Sequence, residues 1–127
     1  MKICTPHLLQ LIIFASSVLL APATFAGTAN GKVTRVFVLA CPSATAQAGC
    51  SIGIVKLSAL ISGGPACANN PGEWAFSLDT AAGKAMFNAI LHAQAVGASV
   101  SIIGDGTCGA WFDRERPSYT QFDYPNK

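Results

Sequence analysis

The chain has 127 residues, of which 51% are hydrophobic and only 11% charged, and its formal net charge is +2. Eight scattered basic residues against six acidic ones exclude a nucleic-acid surface, which needs clustered Lys and Arg, and also exclude polybasic attachment to a membrane.

The chain opens on Met1-Lys2 and then runs from Leu8 to Leu20 almost without a polar break, interrupted only by Gln10 and Ser16-Ser17. Pro22 and the small-residue stretch Ala23-Thr24-Phe25-Ala26-Gly27 follow. A positive start, a short apolar run and a small-x-small end form the three-part pattern of a secretory signal peptide. The run is shorter than the roughly 20 residues that a membrane-crossing helix needs. Thr24 and Ala26 suit a cut ahead of Gly27, and Ala21 and Ala23 offer a second frame ahead of Thr24. Residues 1–26 are therefore read as a signal peptide and 27–127 as one mature domain of 101 residues. Its expected location is secreted or periplasmic.

Removal of the leader takes away Cys4 and leaves Cys41, Cys50, Cys67 and Cys108. Four cysteines in a small exported domain read as two disulfides with three possible pairings. Cys41–Cys50 and Cys67–Cys108 are favoured, because the first two flank one loop and the other two bracket the rest of the fold. The cysteines lack the close spacing of a zinc site. No metal and no cofactor is expected.

Lys32 to Ala40 alternates and is rich in β-branched residues, which predicts a strand. Cys41 to Cys50 is a loop, and Ser51 to Leu60 is strand-like again. Ser62-Gly63-Gly64-Pro65 through Asn69-Asn70-Pro71-Gly72 is turn-rich, and Glu73 to Leu78 reads as a third short strand. A helix follows to Val96, with Asp79 as expected N-cap and Gly97 as left-handed C-cap. Its apolar stripe is Ala82, Met86, Ile90 and Ala93, widened by Phe87 and Leu91, and Lys84, Asn88 and His92 form the opposite polar line. Ala98 to Ile103 is a strand, Gly104-Asp105-Gly106 a tight turn, and Cys108 to Phe112 the return. Asp113-Arg114-Glu115-Arg116-Pro117 reads as a charged, solvated turn before a last strand over Ser118 to Phe122. Three strands, a helix, then two or three strands predict a β-rich α+β domain. The expected form is a small OB-like barrel of five or six strands, with its helix between the third and fourth.

Trp74-Ala75-Phe76-Ser77-Leu78-Asp79-Thr80, Gly83-Lys84-Ala85-Met86, Ser101-Ile102-Ile103-Gly104 and Thr107-Cys108, with Trp111, Asp113, Glu115 and Tyr119 after them, resemble a family of small exported bacterial proteins. The helix–strand–Cys order is more distantly similar to the OB-fold B subunits of pentameric AB-type bacterial toxins. The toxin resemblance implies a homopentamer with helices lining a central channel, and sugar recognition on loops or the barrel side. It transfers no sugar-contacting residue to this chain.

Five groups of residues could carry chemistry. His92 is the one histidine left after leader removal, and it sits on the polar helix line without a Gly-x-Ser-x-Gly elbow, so a solvated role is expected. Asp113 and Glu115 have the spacing of paired carboxylates, but Arg114 and Arg116 interleave with them, which reads as solvation. Gly104-Asp105-Gly106 lacks the oxygen-rich ligand run of a calcium loop. Trp74 and Phe76 read as core. Trp111 reads either as core against the Cys108 bridge or as a stacking platform for a sugar ring. With Asp113, Arg116 and Tyr119 it forms the expected ligand-binding surface.

The function expected from these residues is an exported, non-enzymatic, self-associating binding domain with a glycan as ligand. An alternative is a periplasmic or secreted hydrolase inhibitor that presents the Cys41–Cys50 loop, since a preorganised loop loses little entropy on binding. A small hydrolase, using His92 or Glu115, is the least favoured.

Overall fold

The computed structural model describes residues 25–40 and 50–125. The apolar run, Cys4, and the Cys41 to Gly49 loop lie outside the described residues. Five strands and one helix follow in order: β1 Thr28–Ala40, β2 Ser51–Leu57, β3 Glu73–Ser77, α1 Ala81–Val96, β4 Ser99–Gly104 and β5 Pro117–Asp123. The strands make one antiparallel sheet in the order β3-β2-β1-β4-β5. The domain is therefore β-rich α+β with one helix between the third and fourth strands, and the sheet is not closed into a barrel.

β1 organises the sheet. Its first part, Thr28 to Lys32, pairs with β4, and from Val33 onward it pairs with β2, with a register shift between Val33 and Arg35. An irregularity of this kind bends and twists a strand, so one strand can serve two halves of a curved sheet. The free edge of β3 meets the residues just ahead of β5 at one isolated parallel bridge, Trp74 to Glu115.

The concave face carries the core. Val55, Trp74, Phe76, Val100 and Ile102 are fully buried beneath Phe87, Ile90 and Ala93 of α1. Each large apolar side chain removed from water contributes about 1.5–3 kcal/mol, so this layer supplies most of the favourable burial. Phe76 and Phe87 meet with ring centroids 6.0 Å apart. Gly53 makes that pairing possible, because a Cβ there would overlap the Phe87 ring. Trp74 is entirely enclosed, and its indole Nε1 has no hydrogen-bond partner among the described residues.

The helix begins one residue later than expected. Thr80, not Asp79, is the N-cap, and its hydroxyl accepts the Gly83 N–H at 3.0 Å. Asp79 instead accepts the Ser51 N–H at 3.1 Å and ties down the start of β2. The buried stripe is correspondingly Gly83, Phe87, Ile90 and Ala93, while Ala82 and Leu91 are exposed. The cause lies at Gly83, which sits so close to the Ser77 carbonyl that any side chain would collide with it. Gly97 closes the helix in the left-handed conformation, φ 72°, as expected.

Two further expectations are corrected. Cys108 to Phe112 forms no return strand, and the region carries only an isolated bridge from Trp111 to Arg114. Residues 105–116 instead make a long strap between β4 and β5. The charged segment within it is not a solvated turn, because Glu115 is fully buried and Asp113 and Arg114 are partly so.

Candidate functional site

The strap leaves and rejoins the sheet at one point. The Asp105 N–H donates to the Arg116 carbonyl at 3.0 Å, and the Arg116 N–H donates to the Thr107 carbonyl at 2.8 Å. Between these bonds the chain arcs outward, held by the Cys67–Cys108 disulfide, and returns over the edge of β3. There the Ala75 N–H donates to the Glu115 carbonyl, and the Asn69 N–H donates to the Asp113 carbonyl, both at 3.1 Å. Gly106, with φ 78°, supplies the left-handed step that starts the arc.

Where the strap faces the start of α1, a cleft of about 380 Å³ opens. Phe76 and Met86 form its apolar floor, Thr80 and Gly83 one wall, and Asp105 and Arg116 the other. Arg116 Nε donates to Asp105 Oδ2 at 2.5 Å. Its two terminal nitrogens have no hydrogen-bond partner among the described residues, and the side chain is half exposed. Asp105 also accepts the N–H and hydroxyl of Thr107 at 2.9 and 2.8 Å. Burial alone raises the Asp105 pKa. The hydrogen bonds from the Thr107 hydroxyl, the Arg116 guanidinium and the Thr107 N–H, with the guanidinium charge, outweigh it and hold the carboxyl below its ordinary value. The cleft thus sets a fixed carboxylate and unused guanidinium N–H groups above an apolar floor. A small molecule with hydroxyls along one edge and an apolar face matches that arrangement.

The four residues expected to bind ligand are not gathered into one surface. Arg116 lies in the cleft. Trp111 packs against the buried cluster of Ile52, Ile54 and Ala75, and its ring lies 5.4 Å from that of Phe112. Asp113 accepts from Asn70 Nδ2 at 2.7 Å and from Arg114, whose guanidinium also grips the buried Glu73 at 2.7 Å. That cluster holds the strap to β3. Tyr119 stands half exposed on β5 opposite Ile103, whose side chain borders a second, more open hollow of about 410 Å³ with Asn30, Leu60 and Ser101.

The cysteine expectations fall on both sides of the described boundary. Cys67 and Cys108 are joined, as expected. Cys50 is itself disulfide-bonded, and Cys41, its expected partner, lies outside the described residues. His92 is exposed on the polar line of α1, with its ring 6.0 Å from Tyr124. Among the described residues no group of three or more His, Cys, Asp or Glu side chains could hold a metal ion. No helix among them is long and apolar enough to cross a membrane.

Sequence reasoning passed over Asp105, which it read as a turn residue, and over the wall from Thr80 to Gly83. The signal that could have found Asp105 was its place between two glycines, two residues before Thr107, which is the spacing of an Asx-type turn. No family model, no curated protein and no solved structure matches this chain.

Proposed function

We propose that the protein is an exported, non-enzymatic binding domain that takes a saccharide in the Arg116–Asp105 cleft. One observation carries this reading: the guanidinium and carboxylate are fixed to each other beside an apolar floor, with donor groups on Arg116 left over. Carboxylate and guanidinium groups accept from and donate to vicinal hydroxyls, and the apolar face of a sugar ring rests on Met86 and Phe76. The OB-like design belongs to the same proposal. The strand order, the helix between β3 and β4, and the parallel bridge from Trp74 to Glu115 all support an OB-type sheet with its last seam only begun. The Cys67–Cys108 bridge supports an oxidising destination. Val38, Leu60, Ile103 and Tyr119 are exposed apolar or aromatic side chains, and they support self-association, with the pentamer that the toxin resemblance implies.

A glycan array followed by calorimetric titration tests the binding. The expected result is saturable binding of a saccharide that falls at least tenfold in Arg116→Ala and in Asp105→Asn, with both variants still folded. An array without a hit, or binding unchanged in both variants, overturns the assignment of this cleft.

A further inference from the structure

Glu115 is fully buried, and its carboxylate accepts hydrogen bonds from backbone N–H groups only among the described residues. The Gly27 nitrogen donates to both oxygens, at 3.0 and 3.1 Å, and the Gly106 N–H donates to Oε1 at 2.9 Å. The cage fits the carboxylate closely. A Cβ on Gly27 or Gly104 would overlap it, and one on Gly64 would stand 3.1 Å from Oε2. No Lys or Arg side chain among the described residues pairs with it, because Arg114 is committed to Glu73 and Asp113, and Arg116 to Asp105. The amide donors satisfy the hydrogen bonds of the carboxylate but bring no opposite charge, and a cation is what such a site lacks.

Gly27 is also the residue that follows the small-x-small stretch Thr24-Phe25-Ala26. Phe25 and Ala26 are exposed while Gly27 is buried, so the Ala26–Gly27 peptide bond lies where the chain enters the fold. We infer that hydrolysis of this bond turns the Gly27 nitrogen into an α-ammonium group that forms a buried ion pair with Glu115. The bond that breaks is the Ala26–Gly27 amide. Water supplies the oxygen of the new Ala26 carboxylate, and the freed amine takes up a proton. The cation is thereby produced in hydrogen-bond contact with both carboxylate oxygens. The ion pair makes Gly27 the processed terminus and rejects the alternative frame ahead of Thr24, whose amine would lie three residues away from the cage. A side chain at the first mature position would not fit, which accounts for glycine there. This inference rests on the export reading and adds to it a defined terminus with a structural role.

The full chain, expressed with its leader in an export-competent bacterial host, is purified from the exported fraction with its disulfides intact. Intact-mass analysis reads the N-terminus, and acylation of the α-amine is followed by peptide mapping in buffer and in urea. The expected result is a chain that begins at Gly27, with an α-amine that acylates at least tenfold more slowly folded than unfolded. The same protection should be lost in a folded Glu115→Gln variant, and the folded-against-unfolded comparison stands by itself if that variant does not fold. A chain that still begins at Met1 overturns the export reading and the inference with it. A chain that begins at Thr24, or a Gly27 amine as reactive folded as unfolded, overturns the ion pair and leaves export intact.

Discussion

The helix-covered face of the sheet and the 105–116 strap are held by different physics. Beneath α1, Trp74, Phe76, Phe87, Ile90 and Val100 exclude water and need no directional partner beyond close packing. The strap adds Ala110 and Trp111 to a smaller apolar cluster with Ile52, Ile54 and Ala75. It is held by the Cys67–Cys108 bridge, by Glu73–Arg114–Asp113, and by the carboxylate of Glu115 seated among glycines. Apolar packing tolerates small displacements, whereas a buried carboxylate needs every donor in place. The region that presents Asp105 and Arg116 is therefore the one built from the less forgiving interactions.

Four experiments would break or sharpen this contrast. The largest expected effect is from opening the Cys67–Cys108 bridge. It spans a sequence separation of 41 residues, and the chain-entropy model assigns about 4 kcal/mol to a loop of that length. Urea denaturation of a Cys67→Ser/Cys108→Ser double variant should show that loss, and hydrogen exchange should place the loosened amides at Gly106 in the strap and Ala75 beneath it. A loss confined to the α1 amides would refute the division. Next comes Ile90→Ala, which removes a fully buried side chain from the helix face and should cost about 3 kcal/mol. Its urea midpoint should fall while saccharide affinity at the cleft stays within twofold.

Thr80→Ala should cost about 1 kcal/mol through loss of the helix cap, and Asp79→Ala distinctly less. Thermal melts of the two variants side by side would decide between them, and equal losses would contradict the assignment of the cap. The smallest effect concerns acid. Asp105 is held below its unfolded value of about 3.9, so its stabilisation is complete above that pH and is lost as pH falls through the lower folded value. Asp105→Asn should flatten the acid limb of the stability curve below about pH 4. An unchanged acid limb would show that the Arg116 pair contributes nothing to folding.

The residue patterns that were legible in the sequence are those in which neighbours decide the outcome. β-branched alternation marked β1 from Lys32 onward, but Thr28 to Gly31, with its Ala, Asn and Gly, gave no strand signal and pairs with β4 only because β4 is there to receive it. The helix was legible to its last residue, with Ile90 and Ala93 buried as expected, while its cap and the first half of its stripe shifted by one position because Gly83 must pass the Ser77 carbonyl. Of the expected binding surface, Arg116 reached the cleft, and Trp111, Asp113 and Tyr119 went to three other neighbourhoods. Spacing along a segment cannot foretell which way a loop of twelve residues will turn its side chains.

What the sequence by itself determined was the β-rich α+β class, the one helix among the described residues with its cap at Gly97, and the favoured meeting of Cys67 with Cys108. These follow from periodicity, from the permitted backbone angles of glycine, and from composition, all of which act over a few residues. Only the tertiary structure decided that Glu115 is buried and that Asp105 and Arg116 share a cleft wall. A carboxylate enters an interior only where donors converge on it, and the Gly27 donor comes from 88 residues away.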